Sequence, residues 1–234
     1  MVLTPEPRAP GKGLWAAELP RAAWMVMTGG WHRVLAGMPQ GDGRPILILP
    51  GLFNSDRSNF AMRFYLNRLG YRAHGWGMGR NLGNRTIGGE GEELFARLRA
   101  IHEEAGEPVT LIGVSLGGIM ARFAAHQHPE WVREVITVSS PYAGDPHATN
   151  VWRAFEWFTG DRIDDPAMIA RREAIAAPLP VPATAIWSAS DGLVAGAICH
   201  SPDCRNIEVT SSHLGVQMKP EVLRAIFAVL AESA

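Results

Sequence analysis

A chain of 234 residues, 47% hydrophobic and 19% charged, carries enough apolar material for one sizeable core and is too short for two large domains. The same composition excludes a disordered tail protein or a coiled coil. Lys+Arg 22 against Asp+Glu 23 leaves a net charge of -1 with no polybasic run, which argues against nucleic acid as a partner.

Residues 1–13, rich in Pro, Gly and charge, read as a mobile arm without chemistry. Over 14–35, Trp15, Trp24 and Trp31 recur among Ala, Met and Val, and Pro20 and the Gly29-Gly30 pair interrupt the run, which predicts two short helical pieces. The tryptophans are expected to pack on the outside of the core. The alternative is a partner or lipid-surface contact, including a homo-oligomer formed through this Trp-rich segment. The N-terminus lacks a basic stretch followed by an apolar one, and the charge-free run 174–190 is broken by Pro178, Pro180 and Pro182. Neither a secretory leader nor a transmembrane segment is predicted, and the expected location is cytoplasmic.

From residue 45 the pattern changes, dividing the chain into an N-terminal arm and helical segment (1–44) and a larger domain (45–234). The string PILILPG at 45–51 is a short apolar run stopped by Pro-Gly, as in a strand buried on both faces. A helix is predicted over 60–69, a strand over 71–76, a helix over 89–105, a strand over 109–114, a helix over 116–128 and a strand over 132–139. Further strands follow at 183–189 and 207–209, then a helix at 220–231 with Pro220 suited to its first turn. This alternation implies an α/β class with a mostly parallel sheet of about six strands and helices on both faces. Between Pro141 and Pro178 it lapses into two helices, around 150–158 and 166–176, the pattern of a small helical cap (142–178) inserted over a site.

The sharpest chemical signal is Gly113-Val114-Ser115-Leu116-Gly117-Gly118, where an apolar strand runs straight into a helix. This Gly-x-Ser-x-Gly pattern holds a serine on a sharp turn, and small residues on both sides avoid collisions across it. A serine hydroxyl needs a histidine base, itself oriented by a carboxylate, and at such a turn the chain order is Ser, acid, His. His213 lies in a loop between the short strand at 207–209 and the last helix, and is the candidate base. His200 is the weaker alternative, and His126 and His128, at a helix end, are expected to be solvated. Asp191, just beyond the strand at 183–189, is the candidate acid, with Asp145 as runner-up. Asp161, Asp164 and Asp165 fall in the cap and are expected to face solvent. The N–H groups of Leu116 and Leu52 are the candidate oxyanion donors, Gly51 allowing close approach of the backbone. Cys199 and Cys204 make a poor zinc site and leave a local disulfide or two free thiols open.

Together these segments resemble the α/β-hydrolase superfamily, in particular its small bacterial lipase/esterase, triacylglycerol-lipase-like branch. The resemblance covers roughly 45–232 and rests on six motifs. They are Pro-Gly-Leu at 50–52, Gly-Trp-Gly-Met-Gly-Arg-Asn at 75–81, the serine turn at 113–118, Val-Ser-Ser-Pro-Tyr-Ala-Gly at 138–144, Ser188-x-x-Asp191-Gly192-x-Val194, and Ser-His-Leu-Gly at 212–215. Val114 and Tyr142 depart from the branch's commoner Gly-His-Ser and Thr-Pro-His. Such a resemblance implies a sheet trimmed of the usual first two strands, and a serine hydrolase acting on a small-molecule carboxylic ester through Ser115, Asp191 and His213. An acyltransferase or thioesterase using the same residues is the alternative. No metal or organic cofactor is implied. Trp152, Phe155 and Phe158 of the cap, with Phe53 beside the oxyanion loop, are the candidate substrate-binding residues.

Overall fold

The computed structural model describes residues 6–28 and 34–233. A six-stranded sheet forms its centre: β1 (Pro45–Leu49), β2 (Arg72–Gly75), β3 (Val109–Val114), β4 (Val132–Val138), β5 (Ala183–Trp187) and β6 (Arg205–Glu208). Every pairing is parallel, in the spatial order β2-β1-β3-β4-β5-β6. Around it run α1 (Lys12–Thr28), α2 (Phe60–Arg68), α3 (Asn84–Ile87), α4 (Glu92–Ala105), α5 (Leu116–Gln127), α6 (Trp152–Thr159), α7 (Pro166–Ala176) and α8 (Pro220–Glu232). The expected α/β class, strand number and parallel order are all found.

The apolar runs explain the layering. In β1, Ile46 and Ile48 enter one hydrophobic layer with Leu66 of α2 and Phe227 of α8, while Leu47 and Leu49 enter the other with Leu98 of α4 and Ala124 of α5. Successive strand side chains point to opposite faces, so a strand covered by helices on both sides reads as a near-continuous apolar run. The edge strands β2 and β6 instead carry Arg72, Arg205 and Glu208, charges that discourage pairing with another chain.

Strand order positions the site. β1 pairs β2 on one side and β3 on the other, with Leu49 opposite Gly113, so the chain leaves these two neighbouring strands in opposite directions. A crevice opens at the carboxyl ends of strands at such a reversal. The loops after β1, β3, β5 and β6 all begin at that edge.

The N-terminal segment differs from expectation. One helix, α1, runs through Pro20 where two pieces were predicted, and its start at Lys12 removes the end of the expected arm. Proline inside a helix costs an isolated helix about 3 kcal/mol. Here tertiary contacts straddle it: Glu18 is buried before it, and after it Arg21 Nη1 donates to the Ser190 carbonyl at 2.7 Å. Upstream, Asn150 Nδ2 donates to the Pro10 carbonyl at 3.0 Å. Trp15 and Trp24 are 56% and 69% exposed, more open than rings expected to pack on the outside of the core. Trp31 lies outside the described residues. Among the described residues no helix is long and apolar enough to cross a membrane.

Candidate active site

Ser115 sits between β3 and α5 with φ 52° and ψ -119°, a backbone conformation that a residue with a side chain rarely adopts. Its neighbours make the turn possible. A side chain at Gly117 would run into the Leu49 and Pro50 carbonyls, and one at Gly113 into the backbone of Gly117 and Gly118. The Ser115 N–H donates to the Val138 carbonyl at 2.8 Å, anchoring the strained residue to β4.

His213, after β6, reaches back over the sheet edge. Its Nε2 lies 3.1 Å from Ser115 Oγ and its Nδ1 2.7 Å from Asp191 Oδ2. Because a carboxylate only accepts, Nδ1–H donates to Asp191 and the bare Nε2 is left to accept the serine proton. Asp191 is buried, and its Oδ1 accepts from the N–H groups of Leu193 and Val194, both at 2.9 Å. The acid and base loops are sewn together by Ser188, whose Oγ accepts from Ser211 N–H at 3.0 Å and donates to the Ser211 carbonyl at 3.1 Å. Burial works against a charged His213, but the Asp191 charge and hydrogen bond, with the Glu18 charge, outweigh it and hold the imidazole above its ordinary value.

The loop after β1 is shaped from a distance by Asn81, which is fully buried. Its Nδ2 donates to the Pro50 carbonyl at 2.7 Å, its carbonyl accepts from Phe53 N–H at 2.8 Å, and its N–H donates to the Asn54 carbonyl at 2.8 Å. A side chain at Gly51 would crowd Ser115 Cβ. Among the described residues neither the Leu52 nor the Leu116 N–H donates to a protein acceptor, so both remain available beside Ser115. In the sequence Asn81 stands out only as the end of the Gly-Trp-Gly-Met-Gly-Arg-Asn string at 75–81. The signal for its role is a polar side chain amid glycines just beyond a strand's carboxyl end.

A cavity of about 170 Å³ opens beside Ser115. Leu52 and Leu116 line it, as do Trp152, Phe155 and Met168 from α6 and α7. Phe53 and Phe158, also expected to line it, lie outside and pack edge to face with ring centres 4.4 Å apart. Phe158 is six residues from Trp152, and at about 100° per residue that spacing turns it about 120° around α6 from that cavity-lining ring. Ile119, Met120 and Phe123 of α5 also form walls, and sequence reasoning missed them. Their signal was a helix apolar on more than one face, which needs cover on more than one side.

The rival residues are elsewhere. Asp145 accepts from its own neighbour His147, from N–H at 2.9 Å and Nδ1 at 2.8 Å, and His200 packs against Trp187 with ring centres 4.3 Å apart. His126 and His128 are half-buried rather than solvated: burial lowers the His126 pKa, and His128 stacks on Trp131 at 3.9 Å. Asp161 also departs from expectation, accepting from Asn84 Nδ2 at 3.1 Å beside the cavity, whereas Asp164 and Asp165 are exposed. Cys199 and Cys204 are free thiols, Cys199 being buried and Cys204 lying 3.3 Å from the Tyr142 hydroxyl.

Residues 99–194 match the family model described as alpha/beta hydrolase fold. Among solved structures, the mature lipase of Bacillus licheniformis is similar at 19% identity and a TM-score of 0.59, over 83% of this chain and 95% of that one. The monoacylglycerol lipase of Paleococcus ferrophilus is similar at 17% identity and a TM-score of 0.59, over 84% and 97%. Naproxen esterase from Bacillus subtilis is similar at 15% identity and a TM-score of 0.53, over 82% and 85%. At these identities the likeness establishes the fold alone. No curated protein matches the chain in sequence.

Proposed function

We propose that this chain, which has the α/β-hydrolase fold, hydrolyses carboxylic esters through a covalent acyl-enzyme intermediate on Ser115. One observation carries the reading: the continuous hydrogen-bonded chain Ser115 to His213 to Asp191, with contacts of 3.1 and 2.7 Å, opening onto an apolar cavity. Nitrogen Nε2 of His213 takes the serine proton as Oγ attacks the acyl carbonyl, and Asp191 holds the ring in the required tautomer and faces the imidazolium that forms. The carbonyl oxygen gains negative charge beside the Leu52 and Leu116 N–H groups, and loss of one such donor typically lowers kcat by ~10²–10³. His213 then returns the proton to the departing alcohol. In the second half it deprotonates a water, which releases the acid and frees Ser115.

The cavity favours an apolar acyl group of limited size. An apolar cavity of about 150 Å³ holds a benzene-sized guest, so about 170 Å³ accommodates an acyl group of roughly six carbons. Hydrolysis of a nitrophenyl ester series tests both points. kcat/KM should rise to about six acyl carbons and then level, and Ser115→Ala should abolish turnover at every length. Equal rates for wild type and Ser115→Ala would remove the nucleophile from the mechanism.

A further inference from the structure

Glu18 projects from α1, an N-terminal helix that precedes the sheet altogether, yet its carboxylate ends between the loops that carry the acid and the base. Oε1 accepts from the Gly192 N–H at 2.7 Å, and Oε2 accepts from the Leu214 N–H at 2.8 Å. Gly192 follows Asp191 directly and Leu214 follows His213 directly. One side chain, 2% exposed, thus joins the backbones next to both residues, across sequence separations of 174 and 196.

Burying a carboxylate is expensive unless its lone pairs are satisfied, and two backbone N–H groups replace only part of the water it gives up. A fixed anion at this depth calls for a compensating positive charge. A transient one, the His213 imidazolium formed during proton transfer, is placed near it, and the Glu18 charge favours that form. The approach of α1 is also built in. A side chain at Gly192 would strike the Leu14 carbonyl and the Glu18 carboxylate, so this loop meets the helix with no room to spare. Beyond it, Arg21 fixes the same loop through the Ser190 carbonyl at 2.7 Å and the Ser190 hydroxyl at 3.0 Å.

We propose that Glu18 is a positioning residue for the Asp191–His213 pair, a clamp from the N-terminal helix that holds both loops in register and faces the imidazolium with a second negative charge. The assignment rests on the serine-hydrolase reading above. Among the described residues, Asp191 on the β5 loop and Glu18 on α1 carry the charges that act on His213; Arg21 of α1 is bonded to Ser190 on the same loop, and burial and the Asp191 charge raise the pKa of the nearby Cys199 thiol. Of these, Asp191 fixes the tautomer, and Glu18 is the one that touches both loops.

Glu18→Gln preserves size and one acceptor but removes the charge and turns an amide NH₂ toward a backbone N–H. Glu18→Asp keeps the charge and is too short to bridge both loops. The experiment measures pH profiles of kcat and kcat/KM on a nitrophenyl ester, with melting temperature, for wild type, both variants and Ser115→Ala. The expected result for Glu18→Gln is a fall in kcat of roughly tenfold with KM little changed, as for a small misplacement of a catalytic group. Its acid limb of kcat/KM should move to lower pH, because His213 loses a neighbouring anion. Glu18→Asp should keep the limb near that of wild type while still losing kcat, and it carries the test alone if Glu18→Gln does not fold. A lowered melting temperature with kcat and the limb unchanged in the folded variants overturns the proposal, leaving Glu18 as a purely structural anchor. Full activity in Ser115→Ala overturns the hydrolase reading and the clamp with it, whereas an inactive Ser115→Ala beside unaltered Glu18 variants overturns the clamp alone.

Discussion

His213 serves folding and catalysis in opposite protonation states. Asp191 and Glu18 overcome the burial that disfavours its charge and raise its pKa above the ordinary value of about 6.5. The ion pair it forms when protonated therefore stabilises the fold fully below that ordinary value, and this contribution is lost as pH rises through the raised one. Catalysis needs the neutral ring, so the base is available only above the raised value. The acid limb of kcat/KM should accordingly lie above pH 6.5, read from initial rates across pH in one ionic strength; a limb at or below 6.5 would contradict it. Ser115, Asp191 and His213 were legible because each is marked locally, by flanking glycines or by a position just past a strand. Glu18 was not. Its two partners are 174 and 196 residues away, and in its own neighbourhood it is an ordinary helical glutamate.

Among the elements, α7 shows how a wall of the cavity is held in place. The last carbonyls of a helix lack intrahelical partners. At the end of α7 the buried Arg122 of α5 supplies them: Nε donates to the Ile175 carbonyl at 2.8 Å, and Nη2 to the carbonyls of Ala176 and Ala177 at 3.3 and 2.6 Å. Its guanidinium also lies over the Tyr142 ring at 4.0 Å. Arg122→Met keeps the length of the side chain and removes these donors. It should lower stability by about 1–3 kcal/mol in urea unfolding. KM should rise several-fold more than kcat falls, since Ile175 and Met168 belong to the cavity and not to the reacting atoms. A KM equal to wild type would mean that α7 keeps its place without the anchor. The helices at 150–158 and 166–176 were legible from their apolar spacing, but Arg122 reads in sequence as one charge on an amphipathic helix, and a burial partner 53 residues away leaves no local mark. The single course of α1 through Pro20 was hidden for the same reason, because docking overrides a local preference.

At the scale of the whole molecule, the sheet was the most legible feature. Buried parallel strands read as near-continuous apolar runs, and PILIL and VTLIGV stand out on that account. Neighbour order is a different kind of information. The reversal that sets β1 between β2 and β3 depends on where each crossover helix packs, and no short string encodes it. Once that order exists, four loops meet at one edge and bring together residues as far apart in sequence as Leu52 and His213. The N-terminal helix then closes behind the acid and base loops, so the part of the chain least like a catalytic domain is joined to the site. Ester hydrolysis and the Glu18 clamp both depend on Ser115 Oγ as the atom that becomes acylated. Reaction with an aryl phosphonate ester, which leaves its phosphorus on an activated serine, followed by peptide mass analysis, asks this directly. A single adduct on the peptide containing Ser115, absent in Ser115→Ala and sharply slowed in Asp191→Asn, is the predicted result; an unlabelled Ser115 in an enzyme that still turns over esters would contradict it.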